Sequence, residues 1–188
     1  MAGQGKTAID TVLAESLKEL SQNHPLEKIT IKEITDKAGV IRPTFYNHFQ
    51  DKYELIEWII VNELLVPMHP LIQADMITEA MVLLFTNIEK EKTFYTRAVK
   101  LEGPITFHSI AMKCVKQELL GIIHGRITGK EQKHVWLSPE VIATYFAQSM
   151  CFAAEQWINQ GMPVPPREMA EAYNYIVSHT FDDIISEM

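Results

Sequence analysis

Between Arg42 and His48 the chain carries a guanidinium, a hydroxyl, a phenol, a carboxamide and an imidazole, on Arg42, Thr44, Tyr46, Asn47 and His48. All of these side chains can donate hydrogen bonds. None stands in the nucleophile-and-base pairing or the ligand spacing that catalysis or metal binding needs. Donors in such a run suit phosphate oxygens and the acceptor-bearing edges of bases. Phe45 and Phe49 recur at the spacing of one helix face, so the run has an apolar side by which it can be held.

A pair of short helices would position these donors. Ile31 and Ile34 share a face of the first, Ala38 is small enough for a second helix to cross closely, and Gly39 suits the left-handed conformation in which many helices end. Pro43 fits the opening turn of the second, where an N–H has no intrahelical partner anyway. A helix over about 6–20, with Ile9, Val12, Leu13, Leu17 and Leu20, packs beneath and ends at His24-Pro25. Asp51 caps a helix carrying Leu55, Trp58, Ile59, Asn62 and Leu65, and Pro67 and Pro70 are expected to stop it. Further helices are expected over about 73–90, 92–99 and 106–128, from the Ser138 cap to Gly161, and over 167–187 after Pro163, Pro165 and Pro166. No strand pattern interrupts them, so the fold class is all-α.

Ala38-Gly39-Val40, then Thr44-Phe45-Tyr46-Asn47-His48-Phe49, then Asp51-Lys52-Tyr53-Glu54-Leu55 resemble the amino-terminal DNA-binding domain of the TetR/AcrR family of bacterial regulators, over about residues 6–66. The resemblance implies a helix-turn-helix head over residues 1–50 and a helical effector-binding and dimerisation body over 51–188. It places the DNA-facing positions at Thr30, Arg42, Pro43, Thr44, Tyr46, Asn47, His48 and Lys52. Arg42, at the helix start, can fork onto guanine or touch a phosphate, and the first is favoured because opening residues reach base edges. Thr44, Tyr46, His48 and Lys52 match positions that hold the sugar-phosphate backbone, and Asn47 can serve either way. The alternatives are a half-buried packing Tyr46 and a solvated Lys52. Two departures stand out. Ile41 occupies a position where the family has a capping Ser or Thr, and Pro43 lacks the backbone N–H of the usual small residue.

The chain has 188 residues, 47% of them hydrophobic, and a net charge of −7. That balance argues against indiscriminate coating of nucleic acid. Over 28–52, however, Lys28, Lys32, Lys37, Arg42 and Lys52 outnumber Glu33, Asp36 and Asp51 by two, so a weakly positive head sits on an acidic body. No run approaches the ~20 apolar residues of a membrane span, and the N-terminus lacks the apolar stretch of a secretory signal. A cytoplasmic protein is expected. Cys114 and Cys151 lie far apart in apolar patterns and read as core thiols.

Two apolar stripes mark the last helices: Ile142, Tyr145, Phe146, Ser149, Met150, Ala153, Trp157 and Gln160, then Met169, Tyr173, Ile176, Val177, Thr180, Phe181 and Ile184. They could complete a monomer core; the resemblance implies a homodimer paired through these helices. It also implies a pocket for a small organic effector, with Tyr95, Phe107, His108, Met112 and Glu155 as candidate contacts and His108 foremost. The pieces Phe94-Tyr95-Thr96-Arg97-Ala98, Gly103-Pro104-Ile105-Thr106-Phe107 and Trp157-Ile158-Asn159-Gln160-Gly161-Met162 resemble a subgroup that includes regulators of dihydroxyacetone kinase. No glycine-rich phosphate loop, zinc motif or nucleophile elbow is present, so no enzyme, cofactor or metal is expected. The expectation is a ligand-responsive repressor on a near-palindromic duplex operator. An adaptor that kept the fold without DNA binding is the alternative.

Overall fold

The computed structural model describes residues 8–126 and 134–187. The expected helix start at Lys6, the N-terminal residues before it and the helix end expected at Thr128 lie outside the described residues. Within them the secondary structure is helical. A head is formed by α1 (Ala8–Ser21), a 3-10 turn (Leu26–Lys28), α2 (Ile31–Ala38) and α3 (Arg42–His48), with α4 (Lys52–Ile59) leading away from it. The body holds α5 (His69–Gln73), α6 (Ile77–Lys90), α7 (Lys92–Ala98), α8 (Phe107–Arg126), α9 (Pro139–Asn159), α10 (Pro166–Ser178) and α11 (Phe181–Ser186). α8 lies along α9, α10 along α6, and α1 touches α2, α4 and α7.

The head core is Leu13, Ala14 and Leu17 of α1 closed over Ile34, Phe45 and Leu55, all without exposed surface. Phe49 bridges to Trp58 edge to face, with ring centroids 6.3 Å apart, which ties the head to the helix leaving it. Gly39 takes φ 69° and sends its N–H back to the Thr35 and Asp36 carbonyls, a conformation that costs a side-chain-bearing residue energy.

Pro67 and Pro70 do not stop the helix that Asp51 begins. The chain stays helical from Lys52 to Gln73, through a π-helical stretch (Ile60–Leu65) and a 3-10 turn (Val66–Met68). Each proline sits in the opening turn of a new segment, where its missing N–H is not needed. By length and composition alone this run is long and apolar enough to cross a membrane, although Glu54, Glu57 and Glu63 interrupt its apolar residues. Leu55, Ile56, Ile59, Leu64 and Leu65 of this run are packed in the core, whereas Val66 is exposed. The final helix is likewise not continuous. It breaks after Ser178, and Thr180 caps a new helix by exchanging hydrogen bonds with Asp183.

Candidate nucleic-acid interface and body cavities

Thr30 opens α2 through a reciprocal pair of bonds. Its Oγ1 accepts from the Glu33 N–H at 3.2 Å, while its own N–H and hydroxyl donate to Glu33 Oε2 at 2.8 and 2.7 Å. Those donors hold the Glu33 carboxyl below the usual carboxylate range. The turn at Gly39 then delivers α3, whose cap residue Ile41 makes no side-chain hydrogen bond and is 68% exposed. Phe45 anchors the helix inward, and Tyr46 stands edge-on to it, exposed, with centroids 5.7 Å apart. Arg42, Pro43, Tyr46 and Asn47 are open to solvent, and the half-buried Thr44 and His48 flank them on the same short helix. His48 is also bonded within the head, its Nδ1 lying 2.8 Å from Asp10 Oδ1 on α1.

Lys52 is placed differently from the sequence reading. Its three ammonium hydrogens go to the carbonyls of Leu26, Glu27 and Ile29, at 2.8, 2.8 and 2.9 Å. Burial lowers its pKa, against the opposing charges of Glu27 and Asp51. Lys52 thus clamps the turn between α1 and α2 to the start of α4, where Asp51 caps the Tyr53 and Glu54 N–H groups at 2.8 and 2.9 Å. Thr30 and Lys52 both have internal partners, so in the free protein they shape the head.

Head meets body at Lys18. Its buried ammonium contacts Glu15 at 2.8 Å, Glu63 at 3.0 Å and Glu91 at 3.2 Å. Burial alone would lower its pKa; the carboxylates outweigh that and raise it. Glu63 sits in the π-helical stretch, where the Val66 N–H reaches back to the Val61 carbonyl and Asn87 donates to the Glu63 carbonyl at 3.0 Å. π-turns are rare and concentrate at functional sites.

The same stretch walls a body cavity of about 50 Å³ with Ile60, Leu64 and Leu65, opposite Tyr95, Phe107, Cys151 and Glu155. Three of the predicted ligand contacts, Tyr95, Phe107 and Glu155, are thus brought together. His108 is exposed and does not line this cavity, its Nδ1 lying 2.9 Å from Glu155 Oε1, and Met112 does not line it either. The Tyr95 hydroxyl is buried without a hydrogen-bond partner, and burial pushes its pKa well up. A second cavity of about 160 Å³ lies between α6 and α8, lined by Met68, Ile72, Met81 and Leu119, and shares Leu65, Val115 and Met150 with the first. No local pattern of residues announces it, because its walls come from separate helices. Cys114 and Cys151 are buried thiols pushed up to about 12 by desolvation, which makes them poor nucleophiles. Among the described residues no cluster of His, Cys, Asp and Glu could hold a metal ion.

Residues 14–59 match the family model described as bacterial regulatory proteins, tetR family, and residues 75–179 match that of a transcriptional regulator C-terminal region. The HTH-type dhaKLM operon transcriptional activator DhaS of Lactococcus lactis subsp. lactis (strain IL1403) is 36% identical over 52 residues, which is 28% of this chain and 28% of that protein. A solved structure of a dihydroxyacetone kinase operon activator DhaS superposes with a TM-score of 0.60 at 20% identity, over 90% of this chain and 93% of that one. NalD of Pseudomonas aeruginosa, the secondary repressor of the MexAB-OprM multidrug efflux pump, superposes with a TM-score of 0.53 at 15% identity, over 88% and 92%. At such identities the structural likeness is one of fold.

Proposed function

Because the chain belongs to the TetR family of bacterial regulatory proteins, whose members are transcriptional regulators that bind DNA and small-molecule ligands and not enzymes, we propose that it is an effector-responsive regulator. It works in the cytoplasm as a homodimer on a near-palindromic operator. Residues 1–50 read the duplex and residues 51–188 sense the effector and pair. One observation carries this reading: α3 presents Arg42, Thr44, Tyr46, Asn47 and His48 outward from a fully buried Phe45. Arg42 is the base-reading residue, and Thr44, Tyr46 and His48 hold phosphates. Salt-dependent binding of the full chain to duplex DNA tests it, with a slope that grows with the number of phosphates neutralised. Absence of such binding would favour an adaptor that keeps only the fold.

The dimer is supported by Tyr145, Phe146 and Phe152 on α9, Ile176 and Val177 on α10, and Phe181 and Ile185 on α11, all exposed in the monomer. Trp157 and Tyr173, which the sequence stripes included, are instead buried within the monomer. The seam is therefore narrower than the stripes and includes Phe152. The cavity walls support an effector with an apolar body and one polar group facing Tyr95, held between the π-helical stretch and α8. Such a ligand shifts the heads only through a difference in affinity between two arrangements of the body. A thermal-shift screen followed by DNA titration tests this, with Tyr95→Phe expected to weaken any hit. We propose repression as the direction. The DhaS relatives, both named activators, support the opposite, and a reporter on a target promoter separates the two: deletion of the gene raises expression under repression and lowers it under activation.

A further inference from the structure

His48 differs from its neighbours on α3 in being bonded to a covered carboxylate. Its Nδ1 lies 2.8 Å from Oδ1 of Asp10; the Asp10 side chain is 4% exposed, whereas the imidazole keeps 26% of its surface. An ionised carboxylate only accepts, so the hydrogen of this bond resides on Nδ1. In a neutral ring that leaves a lone pair on Nε2, which repels a phosphate oxygen. Only the imidazolium has a hydrogen for Asp10 and another for phosphate.

Most other charged groups of the elements packed around the ring are engaged elsewhere; Lys32 and Asp36 on α2 are exposed, and Glu57 on α4 pairs with Lys113. On α1, Lys18 pairs with Glu15, Glu63 and Glu91. Lys37 of α2 pairs with Glu19, and Glu33 with Thr30. At the start of α4, Lys52 holds carbonyls, Asp51 caps the helix and Glu54 accepts from the Gln50 N–H. Arg42 stands at the opposite, opening end of α3.

We propose that Asp10 is a positioning residue that lets His48 grip a DNA phosphate only as the imidazolium, so that DNA binding takes up a proton at each head. The proposal rests on the reading of α3 as the DNA interface. Two anions on opposite ring nitrogens retain the proton more firmly in the complex than Asp10 does alone. Affinity therefore falls as pH rises, by at most about tenfold per pH unit and head.

The probe is a mixed-sequence duplex about 30 base pairs long, because a phosphate contact is independent of sequence. Calorimetry in buffers of different ionisation enthalpy counts the protons. The wild-type chain should show uptake near neutral pH and an affinity falling severalfold between about pH 6 and 8. His48→Gln should abolish the uptake. Asp10→Asn should reduce both uptake and affinity, and His48→Arg should bind without the pH dependence. Ring ¹⁵N spectra of the free protein should show the Nδ1–H tautomer at high pH, and Asp10→Asn should lose that preference. An Nε2–H tautomer in the wild type, or unchanged uptake in Asp10→Asn, overturns the role of Asp10. Duplex binding without proton uptake overturns the coupling alone, whereas no duplex binding at any pH overturns the interface reading and the coupling with it.

Discussion

Among the described residues three histidines meet carboxylates, His69 with Glu118 at 2.6 Å and two pairs of nearly equal length that mark the difference between the halves of the molecule. His48 meets Asp10 in the head at 2.8 Å and His108 meets Glu155 in the body at 2.9 Å. In the head the carboxylate is almost wholly covered, whereas Glu155 keeps 22% of its side-chain surface and His108 half of its own. Solvent screens the second pair, and pairs of that kind contribute little. The contrast extends to the surroundings. The head is closed around Phe45 and its turns are fastened by Thr30, Asp51 and Lys52. The body contains cavities and exposes an apolar face. The two halves differ here in how completely their groups are satisfied.

Matched truncations test that contrast most strongly. Phe45→Ala empties a filled core and should cost about 3–5 kcal/mol, enough to unfold the head. Phe107→Ala removes a residue that already borders empty space, so its lost contacts are fewer and its cost should be smaller. Denaturant melts of both variants settle the order, and an equal or larger loss at Phe107 would break the distinction between a filled head and an open body.

The exposed face gives the next largest effect. Ile176→Asp or Phe181→Asp places a charge on residues that are 59% and 76% exposed in the monomer, so the monomer should keep its melting temperature. At the centre of a dimer seam the same change should cost about 2 kcal/mol or more, roughly thirtyfold or more in dissociation constant. Light scattering that shows a dimer of unchanged affinity would move the seam elsewhere.

Legibility in the sequence follows the range over which residues act. Thr30 with Glu33, Gly39, Pro43 and Asp51 act within a few positions, so the head could be read in advance. His48 reaches Asp10 across 38 positions and Lys52 reaches back 23 to 26; no periodicity announces such bonds, and Lys52 read as a phosphate donor. In the body the break at Thr180 had a local sign in its Thr-x-x-Asp capping pair. The apolar stripe through Val177 and Phe181 masked it. Tyr95, Phe107 and Glu155 reach one cavity wall, but Leu64 and Met150 could not be named beforehand, because that wall exists only where α8 and α9 cross the π-helical stretch.

Lys52 sharpens the comparison at a smaller scale. Lys52→Met keeps the aliphatic stem and leaves the Leu26, Glu27 and Ile29 carbonyls without their donor. Hydrogen bonds to a charged group contribute about 1.5–3 kcal/mol, so a loss of about 2 kcal/mol in head stability is expected. The loss should appear in the absence of DNA. If the variant melts as the wild type does but binds duplex less tightly at every sequence, Lys52 serves phosphate and the closure of the head owes nothing to it.

The smallest effect probes a helix start that the head leaves unfastened. Ile41 precedes α3 in extended geometry, φ −86° and ψ 153°, the conformation a capping residue adopts, yet it offers no oxygen. Serine in its place can accept from an N–H of the first turn of α3. The Pro43 position has none to give, so the acceptor serves the Thr44 N–H, which now bonds the Ile41 carbonyl at 2.9 Å. Replacing an apolar cap by serine is worth about 1 kcal/mol, and Ile41 sacrifices little burial because it is mostly exposed. Ile41→Ser should therefore raise head stability by about that amount in a denaturant melt. The new hydroxyl also adds a donor beside Arg42 on the outer face, so duplex affinity should rise modestly and equally for all sequences. A stabilised head with unchanged DNA affinity would confine position 41 to folding. No gain in either would mean that the isoleucine already contributes as much through contacts with its neighbours as a cap would, and that the head is closed at position 41 as well.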